Sequence, residues 1–273
     1  MSKLLWDQTG EKLYETGTDR GVVYNTVLGN KQGYGNGAAW NGLTAVTESP
    51  SGAEPTDLYA DNIKYITMRS AEEYGGTIEA YTYPDEFAVC DGSAMPATGV
   101  VIGQQSRRAF GFCYRSLVGN DIELNDYAYK LHLIYNATVS PSEKSYSTVN
   151  DSPEAITFSW EFKTVPESIT VTDANGNPLK PTACVIIDTS KADKAKVQAL
   201  EAILYGSDGT ISYDVFTGSD FAAGTTYYEQ DGGNYVPTSD SVFDSSKTYY
   251  TKVETGGTEA RLPLPDEVLG MFA

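Results

Sequence analysis

Few residues in this sequence are of a type and spacing that could do chemistry. His132 is the only histidine. Any Ser-His-Asp or Cys-His device would have to run through it, because the imidazole is what takes and returns the proton. It stands between Leu131 and Leu133 in an alternating run, on the face of Lys130 and Ile134, and reads as a strand-surface histidine. Cys90, Cys113 and Cys184 are an odd, widely spaced set without a C-x-x-C pair. They offer neither zinc spacing nor a disulfide framework, and read as buried reduced thiols. Carboxylate pairs at Glu72-Glu73, Asp85-Glu86 and Asp266-Glu267 resemble those that cleave glycosidic bonds, but 37 acidic residues scatter such pairs by composition alone.

Three further patterns resolve the same way. Asp173-Ala174-Asn175-Gly176-Asn177-Pro178 begins like a calcium loop, yet Pro178 stands at the sixth position and Cys184 at the twelfth, where Gly and Glu are needed. Asn-Gly makes it a turn. Gly33-Tyr34-Gly35-Asn36-Gly37 holds a G-x-G with no strand before it and no helix after it, so it is no phosphate cradle. Arg107-Arg108 precede Phe110, Phe112 and Tyr114, as in a strand that stacks nucleic-acid bases. The net charge of -18 opposes that reading and favours ion pairs for the arginines. The sequence also lacks a G-x-S-x-G elbow and a Walker loop. No catalytic, cofactor-binding or metal residue is assigned, no cofactor is expected, and the chain reads as a non-enzyme.

The elements that would carry these residues are mostly strands. Twenty tyrosines favour pleated surfaces and 26 glycines supply turns. Gly21-Val22-Val23-Tyr24 suits a strand, and alternation is clear at 77–83, 108–115 and 127–136. It is cleanest at 156–163, where Ile156, Phe158, Trp160 and Phe162 share one face against Thr157, Ser159, Glu161 and Lys163. One wet face per strand predicts half-buried strands of an antiparallel sheet. Between Gly29 and Pro55 the glycines and prolines predict a long loop with only Trp40 to Val46 ordered, suited to a functional contact. One helix is predicted, capped near Asp188-Thr189-Ser190, with Val197, Leu200, Ile203 and Leu204 at helical spacing and Gly206 as its stop. It should lie across one sheet.

Beyond Gly209 the character changes. Gly224-Thr225-Thr226-Tyr227-Tyr228 recurs as Lys247-Thr248-Tyr249-Tyr250, and Gly232-Gly233 matches Gly256-Gly257. Two copies are too few for a solenoid, so a small tyrosine-rich β appendage is expected. After it, the prolines of Leu262-Pro263-Leu264-Pro265 predict an extended arm. Hydrophobic residues form 40% of the chain, yet no run approaches the ~20 apolar residues of a membrane helix. The opening residues carry no apolar signal-like run, so assembly in the cytoplasm is expected.

Several segments resemble major tail tube proteins of long-tailed phages that infect Gram-positive hosts. They are Asp57-Leu58-Tyr59-Ala60-Asp61-Asn62, Glu72-Glu73-Tyr74-Gly75-Gly76-Thr77-Ile78-Glu79, Tyr83-Pro84-Asp85-Glu86-Phe87, residues 104–112, Phe158-Ser159-Trp160-Glu161-Phe162, the helix 197–206, and the tail 262–268. Their order and spacing carry the likeness more than any one of them. The resemblance implies a β-sandwich core over 1–210 completed by a 259–273 arm. The tyrosine-rich 211–258 segment is then an insertion on the tube exterior. It implies a structural virion protein whose hexameric rings stack into the tail tube that delivers DNA. The expected partners are other copies, through residues 29–55, and tape measure, tail terminator and distal tail proteins. DNA would be only non-specific cargo in an acidic lumen, and no membrane would be involved. A head decoration or tail terminator protein and a carbohydrate-binding surface module remain as alternatives.

Overall fold

The computed structural model describes residues 3–27, 33–148, 155–172 and 175–273. Among the described residues the chain is mainly β, with two helices, and it divides into two compact units. The first comprises Met1–Tyr205 and Ala260–Ala273, and the second Gly206–Glu259.

The first unit begins with β1 (Tyr14–Thr26), β2 (Tyr34–Trp40) and β3 (Leu43–Glu48). Short β4 (Ser51–Gly52) leads into β5 (Pro55–Ala60) and β6 (Ile63–Arg69), and short β7 (Glu72–Glu73) returns to β8 (Gly75–Ala80). A 3-10 turn, Asp85–Val89, precedes β9 (Ala94–Ala97) and β10 (Val100–Ile102). Then come the long β11 (Phe110–Asn120) and β12 (Leu124–Val139), followed by β13 (Phe158–Thr164), β14 (Cys184–Asp188) and α1 (Lys194–Tyr205).

Eight of these strands form one antiparallel sheet in the order β2-β1-β11-β12-β13-β8-β3, with β14 also on β12. The terminal strands of that order, β2 and β3, are joined by only Asn41 and Gly42. The sheet must therefore curl back on itself, and the seam is filled by Trp40, whose ring lies 4.5 Å from Phe87 and 5.4 Å from Trp160. β12 makes the fold two-layered. Its residues Lys130 to Ile134 pair with β14, and Ala137 to Val139 pair with β13. Between these stretches Asn136 adopts a left-handed φ of 48°, which bends the strand where it changes partner.

Two apolar clusters result. One lies between the layers and holds Val23, Trp40, Ile78, Phe110, Phe112, Ile134, Trp160 and Phe162. The other lies between the sheet and the helices and holds Tyr24, Cys113, Leu133, Tyr135, Val197, Leu200 and Leu204. Consecutive residues of β1, β11 and β12 thus enter opposite clusters. The expectation of one wet face holds for β13, where Trp160 and Phe162 are buried and Glu161 is exposed. It fails for the central strands, because α1 covers their outer side.

Three other expectations need correction. Residues 33–55 are not a long loop but β2, β3 and β4, while Gly29 to Gln32 lie outside the described residues. The glycines serve packing: a Cβ on Gly37 would stand 2.6 Å from the Tyr24 ring. The helix cap is Asp193, whose Oδ1 accepts from the Ala195 and Lys196 N–H groups, whereas Asp188 holds the preceding turn through Ser190. The carboxyl-terminal arm is a second helix, α2 (Pro265–Phe272), with proline in its first turn, where a missing N–H costs nothing. In the turn after Val171, Asp173 and Ala174 lie outside the described residues, and Thr172 bridges Pro178 around a left-handed Gly176.

In the second unit, β15 (Thr210–Val215), β16 (Tyr227–Asp231), β17 (Asn234–Pro237) and β18 (Tyr250–Thr255) form a sheet ordered β15-β18-β16-β17. The doubled Tyr-Tyr motif becomes two adjacent strands, with Tyr228 opposite Tyr250. Tyr227 and Tyr249 are buried among Phe216, Phe221 and Phe243. Tyr213, Tyr228, Tyr235 and Tyr250 make ring contacts on the opposite face.

Candidate functional site

The β5–β6 hairpin of the first unit is a candidate interaction surface. Asp61 and Asn62 both take left-handed φ values, 51° and 62°, which is the two-residue turn whose twist suits a hairpin. Among the described residues, β5 and β6 pair only with each other, and every residue of both is exposed. Cross-strand partners share a face, so the register Thr56↔Met68, Leu58↔Ile66 and Ala60↔Ile63 collects one apolar face. Leu58, Ile63, Ile66 and Met68 on it are 44%, 65%, 49% and 57% exposed. The other face carries Asp57, which binds Lys64 at 2.7 Å and accepts from the Thr67 hydroxyl. A two-stranded hairpin is marginal alone in water, and an uncovered apolar face on one marks a candidate interaction surface.

A second constellation is internal. His132 Nδ1 lies 3.1 Å from Glu48 Oε1, and His132 Nε2 lies 2.9 Å from Ser116 Oγ. The Tyr114 hydroxyl donates to Glu48 at 2.5 Å, and its ring stacks on the imidazole at 4.4 Å. The hydrogen bond with His132 holds the Glu48 carboxyl down, to about 2. An ionised carboxylate only accepts, so Nδ1 carries the proton. The order Ser-His-Glu matches that of an acyl-transfer relay, but the setting does not. Ser116 is mid-strand, paired with Thr18 on one side and Lys130 on the other. Ser116 thus stands inside the antiparallel sheet with a strand on either side, not on a turn that would expose its hydroxyl. Five surface cavities are lined by other residues. The cluster acts as a clamp that ties β3 to β11 and β12 across the sandwich.

His132 is therefore not on a strand surface: it is buried, because both faces of β12 are covered. The sequence reading missed Glu48 and Ser116. The signal that could have found them is a lone histidine flanked by leucines, which needs polar partners once buried. The three thiols are free. Burial pushes Cys90 and Cys113 up to about 12 and Cys184 up to about 11, which keeps them protonated and poor nucleophiles. Phe110, Phe112 and Tyr114 are buried and cannot stack on bases. Arg107 donates to the Asp91 carbonyl, and the buried Asp91 carboxylate accepts from Lys144 and the Trp160 indole. The carboxylate pairs are dispersed: Glu72-Glu73 are exposed in β7, Asp85-Glu86 open the 3-10 turn, Asp266 accepts from Thr170, and Glu267 pairs with Arg261. Comparison of the sequence with protein-family models and with curated proteins finds no match.

Proposed function

We propose that this protein is a self-assembling structural subunit, and specifically a tail tube subunit of a long-tailed phage. The observation that carries self-assembly is the β5–β6 hairpin, which leaves Leu58, Ile63, Ile66 and Met68 uncovered on one face. Rings of such subunits, stacked into a tube in the virion tail, would cover that face and absorb open strand edges. The net charge of -18 supports a conduit for DNA, since an acidic surface lacks the cations that hold phosphates. The ordered segments that resemble tail tube proteins support the narrower identity. Hexameric rings, the tape measure, terminator and distal tail partners, and assembly in the host cytoplasm belong to the same proposal.

The test is sedimentation velocity at rising protein concentration and salt. Screening shortens the reach of repulsion from ~10 Å at 0.1 M to ~3 Å at 1 M, so the parent should pass from single copies to large assemblies. A variant lacking residues 55–69 should remain single. A parent that stays a single copy throughout would contradict the proposal. The tyrosine cluster of Tyr213, Tyr228, Tyr235 and Tyr250 supports a second reading, limited to Gly206–Glu259, of a carbohydrate-binding module. Glycan-array binding by the chain, lost on Tyr235→Ala, would favour it.

A further inference from the structure

A second hairpin, β9–β10, is also paired only with itself among the described residues. Met95, Val100, Val101 and Ile102 are 43%, 51%, 58% and 45% exposed on it. Residues 92–106 contain no Asp, Glu, Lys or Arg. In the β5–β6 hairpin, Asp57 and Asp61 are balanced by Lys64 and Arg69. Both hairpins are thus electrically neutral in a chain of net charge -18. Copies of an acidic protein repel each other generally, and neutral apolar patches are where they can approach and desolvate.

The two hairpins also leave from opposite ends of one strand. β5–β6 is spliced between β3 and β8 at the Glu48↔Gly76 end, and β9–β10 follows Ala80 at the other end through the 3-10 turn. β8 has six residues, roughly 20 Å of extended chain. We propose that the apolar face of β5–β6 in one copy packs on β9–β10 of the next copy, head to tail. This rests on the self-assembly reading and names the receiving surface. In a head-to-tail arrangement each contact leaves the other patch of each copy free. The contact then propagates into rings or open stacks.

Ile66→Asp disables the inserting hairpin and Val101→Asp the receiving one. Both sites are exposed, so each variant should melt like the parent, checked by circular dichroism. Each alone should need more than about tenfold higher concentration to assemble, the factor a modest loss per contact produces. Mixed one to one, they should form pairs by mass photometry, because the intact β5–β6 of Val101→Asp still fits the intact β9–β10 of Ile66→Asp. Normal assembly by Val101→Asp would overturn the receiving surface while leaving self-assembly standing. Two inert variants that stay single when mixed would overturn the head-to-tail contact. A parent that never assembles would overturn both this contact and the reading beneath it.

Discussion

The β11–β12 and β5–β6 hairpins are built alike and end in opposite environments. Both are antiparallel and rich in aliphatic and aromatic side chains. Phe112, Leu133, Ile134 and Tyr135 of the first are fully buried, whereas Leu58, Tyr59, Tyr65 and Met68 of the second are 44% to 74% exposed. The difference lies in cover. The β13-β8-β3 layer closes one side of β11–β12, and α1 and α2 close the other. Nothing among the described residues pairs with β5–β6. Alternating hydrophobicity therefore marks a strand that needs cover, and only packing tells whether the cover comes from the same copy.

The contrast can be broken hardest at the shared wall of the sandwich. Trp160→Asp would put an uncompensated charge among Trp40, Phe87 and Phe158, and the expected result is no cooperative melt and insoluble protein. Leu133→Ala should cost about 2–5 kcal/mol by chemical denaturation, the usual range for a buried aliphatic truncation. Ile66→Ala, on the exposed hairpin, should stay within about 0.5 kcal/mol in the same measurement on single copies. Equal costs at the two positions would show that β5–β6 packs against its own chain.

The clamp sharpens the comparison through pH. Glu48 titrates below its ordinary value of 4.5, at about 2, chiefly because of the His132 hydrogen bond. A folded-state value below the unfolded one means that its stabilisation is complete above the ordinary value and is lost as pH falls through the folded one. Glu48→Gln should thus lower the urea midpoint near neutrality, and the gap from the parent should close toward pH 2. A gap independent of pH would mean the carboxylate charge contributes nothing. The smallest effect is expected from removing Gly206–Glu259. The Arg261 N–H donates to the Ile203 carbonyl at 2.9 Å, so Tyr205 can be rejoined to Ala260 over a short gap. The melting temperature of the remaining unit should be nearly unchanged.

What was legible in the sequence were features set by neighbours along the chain. The 156–163 alternation put Trp160 and Phe162 inside, and Val197, Leu200 and Leu204 gave the buried stripe of α1. Gly206, at φ 77°, ends that helix as read. What was illegible depended on contacts distant in sequence. Gly37 looks like a loop residue until Tyr24 is seen against it. Pro265 looks like a breaker, although proline suits a first helical turn. His132 looks exposed because α1 and β3, which enclose its strand, lie far away in sequence. The Ser116-His132-Glu48 cluster joins three strands, and no local spacing announces it.

Self-assembly is tested most directly by electron microscopy of the purified full chain at high concentration in rising salt. Rings that stack into cylinders of constant width are expected, growing longer as salt screens the acidic surfaces. Fields of isolated single copies at every concentration and salt would contradict a tail tube subunit.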